Sequence, residues 1–427
     1  SYAFTTVTSF DVSGAKENDA KTFLVGDGNI MYVSEDAMYI SYQKYHNIWR
    51  RGMTEPAIAV DDRAFGSSSS GVTAPVLWED FNTMNEQEKQ RVIADMKAKE
   101  EEKLTRKEID QSTTAIHKIA VNNGAITCTA RGEVPGYLNN QFAMDEYNNN
   151  LRVATTSDVY TSRGSYEYNN VFVLDSGMKT IGELTHIAEQ ETIYSTRFMG
   201  DRLYMVTFKR IDPFFVIDLS TPTNPKILGK LKIPGYSDYL HPYDKDYIIG
   251  VGKETGTNEW GGVSTQGIKL ALFDVRDVEN PKQAGKVEIG DSGSDSAVLS
   301  DHKAFLFDQK KNLLVIPARV VRQEYALDTG DGNDAPRVWF GAYVFGVDPK
   351  NGFVLKGTVE HGTQRETSYW YGSSSSEVKR SLYIGNTLYT LSTAKILANP
   401  LDAIDTIVAT ISLNGREDVL YPPVLSM

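Results

Sequence analysis

Apolar residues along the chain fall into short alternating runs broken by Gly, Asn, Asp and Pro, the pattern of β-strands joined by turns. Several runs recur in the same order. A strand closing on an Asp is written as Val171-Phe172-Val173-Leu174-Asp175, as Phe215-Val216-Ile217-Asp218 and as Leu270-Ala271-Leu272-Phe273-Asp274. A more divergent copy is Tyr343-Val344-Phe345-Gly346-Val347-Asp348. Two of these lead into related turns, Ser220-Thr221-Pro222-Thr223-Asn224-Pro225-Lys226 and Arg276-Asp277-Val278-Glu279-Asn280-Pro281-Lys282. Proline fixes φ there and stops the strand from continuing.

A second strand follows each turn, as in Ile227–Leu231 and Ala284–Ile289. Then comes a strand pair, Arg197–Gly200 with Leu203–Val206, or Ser381–Gly385 with Leu388–Leu391. The connecting Gly-Asp and Gly-Asn suit hairpins that need positive φ. Four antiparallel strands repeating about every 40–55 residues predict the blades of an all-β propeller rather than a sandwich, whose strands would not recur as near-copies. Six such units are read at about 4–42, 114–156, 170–208, 214–252, 267–318 and 341–393. A half-unit near Lys395–Leu397 and Thr406–Leu413 would leave an open sheet edge. The expectation is six complete blades and one partial, a seven-bladed ring most simply, with the closing strands supplied by something else.

One stretch breaks the period. Residues 82–111 are rich in Glu and Lys, with Val92, Ile93, Met96 and Leu104 on a loose helical face and a capping Asn-Thr start. They are read as a helical insertion, preceded by a flexible Gly66-Ser67-Ser68-Ser69-Ser70-Gly71 linker. The resulting organisation is a first blade at 1–42, linker and insertion at 43–113, remaining blades at 114–413 and a tail at 414–427.

Composition narrows the function classes. The 427 residues carry 44 Lys+Arg against 56 Asp+Glu, a net charge of −12, which argues against a nucleic-acid binder. No apolar stretch approaches the roughly 20 residues a spanning helix needs. The single cysteine, Cys128, excludes an intrachain disulfide and is expected to be a small buried residue in the run Ala125–Ala130. The first strand-like run, Phe4–Val12, follows so closely on Ser1 that further sequence is expected upstream.

Longer motifs carry a resemblance. The stretch Pro135-Gly136-Tyr137-Leu138-Asn139-Asn140-Gln141-Phe142-Ala143-Met144-Asp145-Glu146, followed by Leu151–Thr156, resembles a family of secreted β-propeller proteins of archaea and some bacteria. That family is distantly related to WD40 repeats. Ile193–Asp201, Ile233–Asp244 and Asp301–Phe307 match it too, and the likeness runs from about residue 4 to 413. It implies a secreted or surface-attached propeller without implying an activity.

Candidate chemistry is sparse. There is no Gly-x-Ser-x-Gly elbow, no His-Glu-x-x-His helix and no phosphate-cradling loop. In the repeat register, Gln141, Arg197, Asp238, His241, Asp301, His302 and Arg380 fall at or before the strand that would line the central channel, and so converge at one mouth as candidate ligand-binding residues. One reading makes His241, His302, Asp238 and Asp301 a polar or metal site. The favoured reading has them bond backbone groups and tie blades together. The loop Asp328-Thr329-Gly330-Asp331-Gly332-Asn333-Asp334 places Asp328, Asp331, Asn333 and Asp334 as oxygen ligands for Ca²⁺, against the plainer reading of a solvated turn. Loop aromatics at Trp260 and Tyr369-Trp370-Tyr371 suit carbohydrate or protein recognition or the filling of gaps between blades.

The leading expectation is a non-catalytic extracellular module for protein interaction or assembly, partnered by another protein or by a precursor fragment of its own. A strand-exchanged homo-oligomer is included in it. The alternatives are a propeller hydrolase or lyase acting on polysaccharide through the same histidines and aspartates, and a Ca²⁺-stabilised surface-layer component.

Overall fold

The computed structural model describes residues 2–11, 13–14, 16–26, 30–45, 85, 87, 112–161, 164–209, 212–257, 262–322, 337–365 and 374–413. Its strands form six four-stranded antiparallel sheets and one two-stranded sheet, the propeller architecture the strand repeat predicts. The expected helical insertion at 82–111 lies outside the described residues apart from Asn85 and Gln87, as do the 66–71 linker, the 328–334 loop, Trp260, Tyr369–Tyr371 and the 414–427 tail.

The hairpin β1 (Tyr2–Asp11) and β2 (Lys16–Gly26) stands alone as the two-stranded sheet. The first full blade is β3 (Ile30–Val33), β4 (Met38–Tyr45), β5 (Ser112–Asn122) and β6 (Ala125–Pro135). The second is β7 (Met144–Tyr147), β8 (Asn150–Thr161), β9 (Gly164–Leu174) and β10 (Thr180–Ile187). The third is β11 (Thr192–Met199), β12 (Arg202–Phe208), β13 (Asp212–Asp218) and β14 (Lys226–Ile233). The fourth is β15 (Tyr236–Pro242), β16 (Tyr247–Thr257), β17 (Val263–Asp274) and β18 (Lys282–Ile289). The fifth is β19 (Leu306–Asp308), β20 (Leu313–Arg322), β21 (Arg337–Asp348) and β22 (Gly352–Arg365). The sixth is β23 (Val378–Ile384), β24 (Thr387–Ser392), β25 (Lys395–Pro400) and β26 (Ala409–Ser412).

The sequence-derived units are therefore half a blade out of frame. The units at 170–208, 214–252, 267–318 and 341–393 each begin on the strand ending in Asp, which is the third strand of its sheet. What was read as one unit over 4–42 is β1–β2 plus the first half of the next sheet. The supposed half-unit after residue 393 is β25–β26, the outer half of a complete blade. The two-stranded sheet is at the other end, in β1–β2. A linear repeat has no intrinsic frame; hydrogen bonding sets it, because the chain leaves one sheet after every fourth strand.

Asp-turns and Pro-Gly turns mark the two ends of that frame. Asp218, Asp274 and Asp348 accept the backbone N–H groups of Ser220 (3.0 Å), Arg276 (3.1 Å) and Lys350 (2.7 Å), closing the turn from third to fourth strand. Gly136 and Gly235 then carry the chain to the next blade at φ +83° and +77°. The interiors between blades are filled by the alternating apolar residues of the strands, such as Leu151, Val153, Leu203 and Met205, then Leu240, Ile248 and Phe273, all buried.

Cys128 departs from expectation: it is exposed, with Sγ 3.8 Å from His117 Nδ1. A bulge shifts the β5–β6 register between Lys118 and Ile119, so the alternation that would have buried it is broken.

Candidate functional site

Among the described residues, short turns precede the first strands of blades two to six, and two of these turns meet. The 3₁₀ turn Gln141–Ala143 before β7 is capped by Asn140, whose side chain accepts from Phe142 N. The 3₁₀ turn His302–Ala304 before β19 is capped by Asp301, whose carboxylate accepts from Lys303 N at 3.0 Å. The two turns come together from blades two and five, with Gln141 Nε2 at 3.4 Å from His302 Nε2. Arg197, on β11, lays its guanidinium over the Phe142 ring, 4.0 Å from the centroid, and its Nε donates to the Leu240 carbonyl at 2.8 Å. Arg380 reaches across to ion-pair with Asp301.

Gln141, Arg197, Asp301 and His302 thus line one cavity of about 660 Å³, together with Tyr32, Val33 and Met31 of β3. Arg380 lines an adjoining hollow of about 260 Å³ that shares Asp301. His241 stands behind this lining, its Nδ1 3.0 Å from the Tyr239 hydroxyl and its ring against Phe305. Asp238 faces elsewhere, toward Lys253, Lys269 and Asp295. Among the described residues no group of three or more His, Cys, Asp or Glu could hold a metal ion. The four-residue metal reading of His241, His302, Asp238 and Asp301 is therefore corrected: two point into aromatic packing or away from the mouth, and Asp301 is engaged by Arg380 and its own turn.

Burial sets the electrostatics. Desolvation pushes His241 down to about 4, helped by the Arg197 charge, so that imidazole is neutral near pH 7, and desolvation lowers His302 as well. Desolvation pushes Asp238 up to about 7, with Asp295 adding to it and Lys253 and Lys269 opposing. Arg197 is lowered from its ordinary value by the same burial. Desolvation works against Asp301, yet the Lys303 N–H and Arg380 hold its carboxyl below the usual range.

Sequence reasoning missed the aromatic part of the mouth. Phe142 touches Arg197, Tyr239 and His302 at once, with its ring at 85° to the imidazole. It also missed Arg152, which is buried against Asp145 and stacked between Tyr147 and Phe198. The signal for Phe142 was its place beside Gln141 in the Pro-Gly-Tyr-Leu-Asn-Asn-Gln-Phe motif.

Away from the mouth, one sheet face is uncovered. Directly paired residues share a face, and the register joins Leu382 to Tyr389 and Ile396 to both Leu391 and Ile411. Ile384 lies on the same face by alternation, so these residues form one apolar stripe on the sixth blade. Ile384 is 67% exposed and Ile411 56%. The opposite face of that blade packs Leu388 and Leu397 against Leu313, Val315 and Ala342 of the fifth. At the other end, Val7 and Phe23 of the hairpin pack on Ile40, Ile119 and Ile126 of the first blade. Among the described residues β1 and β2 form a two-stranded sheet. Among the described residues no substantial packing joins β23–β26 to β1–β6.

With this geometry in place, comparison defines the class. Residues 1–404 match the beta propeller domain family, and the chain belongs to it. Over 265 residues it is 38% identical to an uncharacterized protein of Methanocaldococcus jannaschii, covering 62% of this chain and 35% of that one. Over 333 residues it is 32% identical to an uncharacterized protein of Archaeoglobus fulgidus, covering 73% and 50%. The chain thus spans between a third and a half of the length of these relatives. Among solved structures it resembles the C-terminal WD40 domain of Sif2 at 12% identity and TM-score 0.33, covering 71% of this chain and 67% of that one. It also resembles the Nup133 β-propeller domain of Vanderwaltozyma polyspora at 10% identity and TM-score 0.34, covering 71% and 83%. No helix among the described residues is long and apolar enough to cross a membrane.

Proposed function

We propose that this propeller is a non-catalytic interaction and assembly module of a secreted or surface protein, and that its recognition surface is the flank between the sixth blade and the β1–β2 hairpin. The observation that carries the reading is the β1–β2 hairpin, a two-stranded sheet among the described residues where the other six sheets have four strands. Asp11 accepts the N–H of Ser13 at 2.9 Å, as Asp218, Asp274 and Asp348 do in the third-to-fourth-strand turns of complete blades. On this reading the hairpin is the outer half of a blade whose inner pair of strands comes from another segment. A β-hairpin from another polypeptide, or from a precursor fragment of the same protein, would pair along the free edge of β1 and cover Leu382, Ile384 and Ile411. Main-chain bonds would supply affinity and the apolar face would supply area.

Sedimentation and light scattering of the purified chain test this, beside a variant carrying Ile384→Glu and Ile411→Glu. The expected result is concentration-dependent association, or capture of a strand partner, that the double substitution abolishes. A monodisperse 47.5 kDa monomer that melts in one cooperative transition, unchanged by the substitutions, would overturn the reading.

A further inference from the structure

Four charged side chains line the 660 Å³ cavity at the channel mouth: Asp145, Arg197, Asp301 and Lys303. The two acids are already neutralised. Asp145 accepts from Arg152 Nε at 3.0 Å, and Asp301 pairs with Arg380. The two bases are not. Neither Arg197 nor Lys303 has a carboxylate within ion-pair reach among the described residues. Arg197 is the telling case, because it is half-buried and its charge is met by the Phe142 ring, the Leu240 carbonyl and the neighbouring Tyr239. Its Nη2 is buried without an acceptor. A guanidinium withdrawn from water without a counter-charge is costly, and a site that keeps one gains most from an anion that arrives later.

The rest of the lining states what the anion is attached to. Met31 and Val33 of β3 are more than half exposed toward the cavity although both are apolar. Phe142 and Phe198 complete an apolar wall. Gln141 and His302 add polar hydrogen-bonding groups beside Arg197.

We infer that the channel mouth is a binding site for a carboxylate carried on an apolar body, with the carboxylate against Arg197 and Lys303 and the body against Met31, Val33 and Phe142. Such a group is presented by a small aromatic or aliphatic acid and equally by the C-terminus of an apolar peptide. This site is independent of the flank between the hairpin and the sixth blade, so the failure of either leaves the other standing.

Titration calorimetry with benzoate and with its neutral counterpart benzamide, at constant ionic strength, is the test. Benzoate should bind about tenfold or more tightly than benzamide, the margin of one charge-assisted hydrogen bond. Lys303→Glu, an exposed change that leaves the packing alone, should weaken benzoate several-fold and leave benzamide unchanged. Arg197→Lys, which keeps the charge but loses the planar fork, should weaken it further. N-acetyl-Val-Phe as free acid and as amide identifies the source: a peptide acid that outbinds benzoate points to a C-terminus, the reverse to a free acid. Equal binding of benzoate and benzamide, or benzoate binding indifferent to Lys303→Glu, would overturn the assignment.

Discussion

Gly235 lies so close to Lys253 that a Cβ built on it would stand 2.3 Å from the Lys253 carbonyl oxygen. Its φ of +77° is also one that L side chains avoid. Both constraints come from its task, which is to carry the chain out of β14 and into β15 while the buried Lys269 ammonium donates to the neighbouring Pro234 carbonyl at 2.7 Å. Gly235→Ala should therefore cost more than about 2 kcal/mol, combining strain with displaced backbone. Gly200, at φ +54° with nothing within 4 Å of a built Cβ, is the control. Gly200→Ala should cost only about 1 kcal/mol, the conformational part alone. Urea denaturation of the two variants separates steric contact from backbone preference.

Such turns explain what could be read from the chain and what could not. The strand pairs were legible because apolar alternation and turn chemistry are local: β11–β12 and β23–β24 were found with the right turns. The grouping of pairs into sheets was not, because Asp218 at one turn and Gly235 at the next are equally good punctuation. Only the hydrogen bonds show that the Gly235 turn ends a blade and the Asp218 turn does not. At the mouth, Gln141, Arg197, Asp301 and His302 were placed together because register alone brings every first strand to the axis. His241 and Asp238 were misjudged for a different reason. They share a short strand with Arg197's backbone partner Leu240, and which way each side chain turns depends on neighbours distant in sequence, Phe305 of the fifth blade for His241 and Lys269 on the third strand of the same blade for Asp238.

Burial of opposite kinds of acid and base gives the protein two opposing pH dependences over nearly the same range, which single substitutions can separate. The Asp238 carboxyl, ordinarily near 3.8, is pushed up to about 7. Between about pH 4 and 7 the native state holds a proton that the unfolded chain has lost, so this group makes stability fall as pH rises through that window. His241 and His361, ordinarily near 6.5, are each pushed down to about 4 by burial. Here the unfolded chain binds the proton first, so stability falls as pH drops from about 6.5 toward 4. Asp238→Asn should raise stability at pH 8 by about 1–3 kcal/mol and have no effect of titration origin below pH 4. His241→Gln should instead flatten the acid limb. Chemical denaturation across pH 4–8 checks both; an Asp238→Asn curve parallel to the parent's would rule out the raised carboxyl.

Cys128, exposed on the outer strand of the first blade and beside His117, should be open to reagents in the folded protein. Native protein treated with Ellman's reagent should release one thiol's worth of chromophore at about the rate of an unhindered thiol, without prior unfolding. The bulge between β5 and β6 makes the result informative. A thiol that reacts only in denaturant would mean that the regular alternation of Ala125–Ala130 persists and the register shift is absent.

The Asp11 turn tests whether the hairpin behaves as part of a blade. Its carboxylate is held below the usual range by the Ser13 hydroxyl and backbone N–H, and Asp11, Ser13 and Gly14 are exposed. Asp11→Ala should therefore act locally, lowering protection of the β1–β2 amides against hydrogen exchange while barely moving the global unfolding midpoint. Asp218→Ala removes the same kind of bond from a complete blade whose strands are buried between neighbours. There, loss of the turn should propagate into the cooperative transition at a cost of about 1 kcal/mol. Addition of a hairpin partner along β1 should erase the difference, since a completed sheet would make the Asp11 turn as cooperative as the Asp218 turn. Exchange measured on the chain alone and again with the partner bound reads that conversion directly, and β1–β2 amides whose protection stays the same with the partner bound would show that the hairpin is no part of a shared blade.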